Sequence, residues 1–333
     1  MSNLLFCTTD AHGFREDCLD YSFNYQNSGF LDLKPDYYGL QSWNEFYPTF
    51  SDYDLIWLHL NPRVMHPPWY DYAELIRQVA PDTKIIISHE YLEKYYSEDI
   101  PYFLIKCFSY VDFIQMNSKT AYSLFSPIIG REKSLYTNLS VPIRIPETGW
   151  GEPLSYEEKE GVVLIEHSVF TPLVKSFEII RDSGLKAILI SSNPSHNKSW
   201  WGSYVDSYNI DAEVYGRLLV PAFYNKINSA RVALDYGYTG ISRFSYECAK
   251  HNTPVIGHNR LEFRNKLYPK LTALNDKSAL TKLKRVYNDE KYWKHLNSYA
   301  DNIVNTYWSD EEVNKRVKRM LRRVGVKNEG ETI

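Results

Sequence analysis

The feature that most constrains the fold is the segment RVALDYGYTGISRFSYECAKHNTPVIG, which begins at residue 231. Two apolar runs in it, Arg231–Asp235 and Thr253–Gly257, predict buried strands, and a helical pattern, Ser242–Lys250, lies between them. The loop before the helix contains Gly237 and Gly240, which allow a backbone to approach a ligand closely. A helix that begins there offers unpaired N–H groups to an anion. The segment therefore predicts one strand–helix–strand unit of a parallel sheet with a site for a nucleotide diphosphate.

Apolar runs alternate with helical patterns in both halves of the chain, which indicates parallel α/β architecture. In the first half we predict strands at Leu4–Thr8, Leu55–Leu60, Lys84–Ser88 and Val111–Asn117, and helices at Asp71–Val79 and Ser118–Phe125. In the second half we predict strands at Val162–Glu166, Ala187–Ser191, Glu213–Tyr215, Arg231–Asp235 and Pro254–Gly257, and helices at Thr171–Asp182, Pro221–Ser229 and Ser242–Lys250.

The chain is long enough for two domains, since its 333 residues exceed one ordinary core. Residues 142–156, with three Pro and two Gly, predict a linker. We therefore expect Rossmann-like domains at 1–145 and 158–305, facing a central cleft. A C-terminal helix is expected at 306–326, packing back on the first domain. Its start carries a capping box, Ser309–Glu312, and it has one apolar face. The residues of that face are Val313, Val317, Met320, Leu321 and Val324.

Composition narrows the class of protein. A hydrophobic content of 44% with 24% charged residues is that of a folded globular protein. The net charge of −3 argues against a nucleic-acid-wrapping protein. The basic stretch 315–323 is either a solvated helix face or a contact for an anionic membrane or an acidic acceptor. Four scattered Cys, no signal peptide and no apolar run of membrane-spanning length lead us to expect a soluble, cytoplasmic protein with free thiols.

Several motifs that would indicate other chemistry are missing. The sequence contains no GxGxxG, GxxxxGK[ST] or GxSxG motif, which argues against nicotinamide, P-loop and serine-hydrolase chemistry. Asp52 and Asp54 spell the DxD of metal-dependent glycosyltransferases, but they precede an apolar strand instead of following it. No His or Cys spacing fits zinc. We therefore expect neither a metal nor a cofactor.

The sequence resembles the GT-B-fold glycosyltransferases, in particular the family 4 (group 1) type. Glu247 followed by CAKHNTPVI is similar to the family's EAxAxGxPVI segment. Further similarities lie in Glu213–Gly216 followed by Arg217, in Tyr224–Val232, in the helical tail Asp289–Trp308, and, less specifically, in Tyr53–His59, Ile85–His89 and Tyr110–Asp112. The resemblance implies a GT-B fold of two Rossmann-like domains with C-terminal helices. It also implies metal-independent transfer of a sugar, a hexose by preference, from a nucleotide-diphosphate sugar to a glycan, lipid or other hydroxyl acceptor, with retention at the anomeric centre.

The donor motif departs from the family at one position. The family has two Glu, and the resemblance assigns the later one, here Glu247, to the ribose and the earlier one to the donor sugar. Thr239 stands eight positions before Glu247, where the earlier Glu would be. Thr239 itself, or an amide of Gly240–Ser242, would have to replace that contact.

The remaining candidates follow from the chemistry of a diphosphate leaving group, which helix-start amides and cations stabilise. The amides belong to Gly240, Ile241 and Ser242, and the candidate cations are Arg217, Lys175 and Arg243, for each of which a surface ion pair is the alternative. His89 and His167 follow strands and would face donor or acceptor, with a structural role as the alternative. On the acceptor side we place His12 and Gly13, with Asp10 as the base of an inverting reaction.

Two other hypotheses stay open. Because Thr239 stands where the family has a Glu, a diverged, non-catalytic GT-B-like protein that binds a nucleotide or a glycan is the first alternative. A DNA glycosyltransferase of the phage type is disfavoured by the acidic net charge, because tracking phosphates requires a basic cleft.

Overall fold

The structure is a computed structural model that describes residues 3–8, 36–39, 49–60, 67–89, 102–137, 151–166, 173–191, 198–216, 218, 220–236, 243–259 and 261–326. The chain divides into two compact units. Unit 1 comprises Met1–Arg144 and Trp308–Ile333, and unit 2 comprises Ile145–Tyr307. The last helix of the chain thus belongs to the same unit as the first strand.

Unit 1 contains a six-stranded parallel sheet in the order β2-β1-β3-β4-β5-β6. The strands are β1 (Leu4–Thr8), β2 (Asp36–Gly39), β3 (Leu55–Leu60), β4 (Lys84–His89), β5 (Phe113–Met116) and β6 (Ser134–Tyr136). The described helices of unit 1 are α1 (Pro67–Val79), α2 (Tyr102–Tyr110), α3 (Lys119–Ile129) and, at the end of the chain, α11 (Asp310–Arg323).

The strands of unit 1 are apolar on both faces because helices cover both faces. Alternate residues of β3 point in opposite directions. Ile56 and Leu58 join a core cluster with residues of α1 to α3, such as Ile76 and Phe125. Leu55 and Trp57 belong to a second cluster, which α11 completes with Val313, Val317, Met320, Leu321 and Val324. Double coverage explains why these strands are continuous apolar runs without polar alternation.

Helix α11 begins as the sequence predicts. The Ser309 hydroxyl accepts from the Glu312 backbone N–H at 3.4 Å, which satisfies one unpaired donor of the first turn. The Glu312 carboxylate accepts from Lys315 at 2.8 Å, so it forms a helix-surface pair. At the other end, Lys84 of β4 donates to the carbonyl oxygen of Val324 at 2.5 Å. The first turn of the helix is therefore capped locally, and its carboxyl end is tied to β4 of unit 1.

Unit 2 contains a five-stranded parallel sheet in the order β11-β10-β7-β8-β9. Its strands are β7 (Val162–Glu166), β8 (Ala187–Ser191), β9 (Ala212–Tyr215), β10 (Val232–Leu234) and β11 (Val255–Ile256). The described helices of unit 2 are α4 (Leu173–Ser183), α5 (Lys198–Ser207), α6 (Val220–Ser229), α7 (Arg243–Lys250), α8 (Glu262–Leu267), α9 (Asp276–Asn288) and α10 (Glu290–Tyr307). The strand order reverses between β7 and β10, and ligands of such sheets bind outside the carboxyl ends of the strands at this point.

A buried lysine lies at the amino end of β7. Lys159 is fully buried, and its ammonium group donates to the carbonyl oxygens of Asn228 and His251, both at 2.7 Å, and to the Thr253 hydroxyl at 3.1 Å. No carboxylate pairs with it among the residues that the structure describes. Burial lowers the pKa of Lys159 to about 7. The lysine therefore ties together the segments before β7, β10 and β11.

Candidate functional site

The candidate site lies at the carboxyl ends of β10 and β11, beside the switch point of the unit 2 sheet. The two strands pair in register, with Leu234 opposite Ile256. Just beyond the pair, the Asp235 N–H donates to the carbonyl oxygen of Ile256 at 2.8 Å. Asp235 and Gly257 are thus held side by side where the strands end, next to the described start of α7.

Glu247 is held in the interior of unit 2. The residue is 1% exposed on α7, and its Oε1 accepts from the Tyr224 hydroxyl of α6 at 3.3 Å. The Tyr224 ring packs against His251, with 5.3 Å between the ring centroids. Burial lowers the pKa of His251 to about 3, so the imidazole beside Tyr224 is neutral at pH 7. A buried, hydrogen-bonded carboxylate has a fixed orientation, which is what recognition of a sugar hydroxyl requires.

Asp235 joins the strand end to the start of α7. Its side chain is nearly buried, and Oδ2 accepts from the hydroxyl of Ser245 in the first turn of α7 at 3.2 Å. The sequence interpretation treated Asp235 as the end of a strand and missed this contact. The available signal was a carboxylate directly after an apolar run, at a carboxyl strand end.

Arg264 is a second feature that the sequence interpretation missed. Its guanidinium is fully buried and donates through Nη2 to the carbonyl oxygen of His258 at 2.6 Å and to the Thr272 hydroxyl at 3.3 Å. Within the described part of the chain, Nε and Nη1 have no acceptor. Burial lowers the pKa of Arg264 to about 10, which Asp235 partly opposes, so the group stays cationic at pH 7.

Gly257 makes room for this arrangement. A Cβ at this position would lie 2.0 Å from the carbonyl oxygen of Asp235 and 3.1 Å from Nε of Arg264. The first distance is far below van der Waals contact with a backbone atom that cannot move aside easily. A side chain at 257 would therefore separate the ends of β10 and β11.

Three other predicted site residues have a described backbone. His89 is the last residue of β4, at its carboxyl end in unit 1. Lys175 is the third residue of α4, the described helix after β7, and its side chain is exposed. Arg243 is the first residue of α7. The side chains of His89 and Arg243 are outside the described part, as are all of Asp10, His12, Gly13, His167, Arg217, Thr239, Gly240, Ile241 and Ser242.

The acidic pair at 52 and 54 lies at the amino edge of the unit 1 sheet. Asp52 ends a short 3-10 helix, and the Asp54 carboxylate accepts from the Asn3 N–H at 2.9 Å, directly before β3. Across the described ranges, no group of three or more His, Cys, Asp or Glu is arranged to hold a metal ion. In the same ranges no helix is both long and apolar enough to cross a membrane. The thiols of Cys7, Cys107 and Cys248 are free and buried.

Comparisons with known proteins identify the fold. No protein-family model and no curated protein sequence matches the chain. The structure of HepE from Anabaena in complex with UDP and glucose is similar, with a TM-score of 0.67 at 12% identity over 97% of this chain and 100% of that one. The lipopolysaccharide outer core galactosyltransferase WaaB matches with a TM-score of 0.62 at 13% identity, over 96% and 99% of the two chains. Sucrose-phosphate synthase from Thermosynechococcus elongatus matches with 0.64 at 13%, over 86% and 76%.

The present chain contains two parallel α/β units, and its similarity to these structures extends over 86 to 97% of its length. The chain therefore has the GT-B fold of glycosyltransferases, as the sequence predicts. At identities of 12 to 13% the likeness concerns the fold. The assignment to family 4 and the roles of individual site residues stay predictions.

Proposed function

We propose that the protein is a glycosyltransferase that moves a sugar, a hexose by preference, from a nucleotide-diphosphate sugar to a hydroxyl acceptor. The observation that carries the proposal is Glu247, a buried carboxylate fixed by Tyr224 on the helix that follows the switch-point strand of a GT-B fold. Two kinds of similarity support it. The sequence around Glu247 resembles a family donor motif, and the HepE structures contain UDP, UDP and glucose, or UDP-glucose.

In this proposal, different residues bind the nucleoside and the diphosphate leaving group. Glu247 accepts hydrogen bonds from the ribose hydroxyls. The amides of Gly240, Ile241 and Ser242 receive the diphosphate, which gains charge as the anomeric bond breaks. The basic side chains of Lys175, Arg217 and Arg243 neutralise that charge without a metal.

On the other side of the reaction, His89 contacts the donor sugar or the acceptor hydroxyl. His167 lies on the donor side, and His12 with Gly13 lines the acceptor side. Asp10 is the base if the anomeric centre inverts, although retention is our proposal. A glycan or a lipid with a free hydroxyl is the acceptor class.

Titration calorimetry with UDP-, GDP- and ADP-sugars tests the proposal, followed by assays of donor hydrolysis and transfer. We expect one nucleotide series to bind and turn over, also in excess EDTA. Glu247→Gln should weaken nucleotide binding by roughly tenfold to a hundredfold, the range for one charge-assisted hydrogen bond. Glu160→Gln, an exposed residue before the amino end of β7 and so at the opposite edge of the sheet, is the control and should bind as the wild type does. Absence of binding in all three series would contradict the proposal.

Thr239 supports a second candidate function, a GT-B-like protein that binds a nucleotide sugar without turning it over. Threonine cannot supply the carboxylate that the family uses for the donor sugar. Tight binding of a nucleotide sugar with no turnover in the presence of an acceptor library would favour this alternative. Restoring the carboxylate with Thr239→Glu would then be expected to raise turnover.

A further inference from the structure

A basic groove lies on the surface of unit 2, between α9, α10 and the 3-10 turn Pro269–Leu271. Its volume is about 700 Å3. The backbone carbonyl oxygen of Tyr287, near the end of α9, accepts from the guanidinium of Arg231 at 3.4 Å. Arg231 lies at the amino end of β10. The end of α9 and the start of α10 therefore lie at the amino ends of the strands, whereas the candidate donor site lies at their carboxyl ends. None of the residues that line the groove is among those that we place in the candidate donor site.

Five basic side chains line this groove. They are Lys270, Lys282, Arg285, Lys291 and His295. The Lys282 ammonium donates to the Lys270 carbonyl oxygen at 2.7 Å, and the Lys270 ammonium is 2.9 Å from Nε2 of His295. These contacts hold the basic side chains close together and contribute no negative charge.

One carboxylate lines the same groove. Asp289 is 4.0 Å from Arg285, at the outer limit of an ion pair. Among the described residues, Lys270, Lys282 and Lys291 have no carboxylate within ion-pair distance. A chain with a net charge of −3 thus gathers uncompensated positive charge in one concave place. Gathered like charges repel, so an anion in the groove would relieve an existing electrostatic cost.

Two observations bear on which anion fits. The groove is open to solvent, so a segment of a long chain can lie in it while both ends of that chain extend beyond it. The volume lies within the range of about 300–1,000 Å3 typical of ligand sites. One wall is the Tyr292 ring, which stacks on the Arg285 guanidinium with 3.9 Å from Cζ to the ring centroid. Aromatic and guanidinium planes present flat faces against which sugar rings can pack.

We propose that the groove binds a segment of a negatively charged glycan, whose phosphate, sulfate or carboxylate groups pair with the lysines. The proposal extends the proposed function, because a charged acceptor chain anchored here would be held at a distance from the reacting end. The site would raise affinity for long acceptors without contacting the donor.

Binding of a heparin-derived hexasaccharide, measured by calorimetry in low and high salt, tests the inference. We expect binding that weakens as salt rises, and no binding of neutral maltohexaose. The double variant Lys270→Gln/Lys282→Gln should weaken binding roughly tenfold, the scale of two exposed ion pairs. Lys282→Arg, which keeps the charge, should bind as the wild type does.

The matched control is Lys277→Gln/Lys294→Gln. It removes two exposed lysines from the same two helices, α9 and α10, but outside the groove lining, and should leave binding unchanged. Equal affinity of the groove variant and the wild type would overturn the inference, as would stronger binding to phosphatidylglycerol vesicles or to duplex DNA. Donor binding is measured separately from glycan binding. If the groove does not bind the glycan, the proposed glycosyltransferase function is unaffected. If no nucleotide sugar binds, glycan binding in the groove can still be measured. A thermal melt of each variant shows that it is folded.

Discussion

Lys159 makes the stability of unit 2 depend on pH. Its ammonium is enclosed by carbonyl and hydroxyl oxygens, and burial lowers its pKa from 10.5 to about 7. Two groups face it: His251, neutral at pH 7, and the buried Cys248 thiol, whose pKa burial raises. Between pH 7 and 10.5 the unfolded chain binds a proton that the folded chain releases. Stability therefore rises with pH in this window and is insensitive to Lys159 below it.

We predict that Lys159→Met removes this dependence. From pH 7 to pH 8.5 the wild type should gain free energy of unfolding relative to the variant, by up to about 1.4 kcal/mol per pH unit. Urea denaturation followed by tryptophan fluorescence at several pH values measures the difference. The variant also loses the hydrogen bonds of the ammonium, so its absolute stability is lower. Only parallel pH profiles for the two proteins would contradict the prediction.

Single residues could be singled out where they belong to a motif and not where burial decides their position. Glu247 was singled out because the segment that contains it resembles a family motif, and its role stays a prediction. Lys159 lies in the charged run YEEKEG, which is typical of a solvated loop. Arg264 lies among polar residues of a short helix. Neither sequence context shows that these two basic side chains are buried, because the residues that enclose them come from distant segments of the chain.

Helix α11 stabilises unit 1 through its apolar face. Val317 is 2% exposed and packs in the cluster that includes Trp57. We predict that Val317→Asp destabilises unit 1 by about 3 kcal/mol or more, because it buries a charge without a partner. Arg319→Asp changes an exposed residue of the same helix and is the control. Thermal unfolding measures both variants, and equal melting temperatures would rule out the packing that we describe.

The same packing narrows the interpretation of the basic C-terminal stretch. An amphipathic helix that lies in a membrane buries its apolar face in the lipid. The apolar face of α11 is already covered by the sheet of unit 1. Contact between this helix and an anionic membrane would therefore be electrostatic only, through exposed residues such as Arg319 and Arg322.

Elements were predictable where the apolar pattern is unambiguous. β1, β3, β7 and β8 have the predicted bounds, because strands that are covered on both faces are continuous apolar runs. The short edge strands β2 and β6 were missed, since four and three residues carry no pattern. The predicted end of α3 at Phe125 was wrong. The helix continues through Pro127 to Ile129, although proline usually ends a helix.

At the scale of the whole molecule, the units differ in how they use the chain. Unit 2 is one continuous segment, Ile145–Tyr307, whereas unit 1 needs both ends of the sequence. We predict that a fragment of residues 145–307 folds cooperatively by itself. A fragment of residues 1–144 should instead expose the apolar sheet face that includes Leu55 and Trp57, bind the dye ANS and aggregate.

Adding a peptide of residues 308–326 to the 1–144 fragment should reduce ANS binding and raise the melting temperature. A peptide in which Val317 is replaced by Asp is the control. Cooperative unfolding of 1–144 without the peptide would contradict the prediction. The two-unit architecture itself was predictable, because length and the repeated alternation of strands and helices both indicate it.

The return of the chain to unit 1 has a consequence for biosynthesis. A ribosome completes the six strands of the first sheet long before it makes the helix that covers them. At 5–20 residues per second, the intervening 173 residues, from 137 to 309, take on the order of ten to thirty seconds. During that interval unit 1 has one uncovered apolar face, which is the period when a chaperone would have most to bind. Translation that stops at the start of α11 would release a chain whose second unit is folded and whose first unit is not.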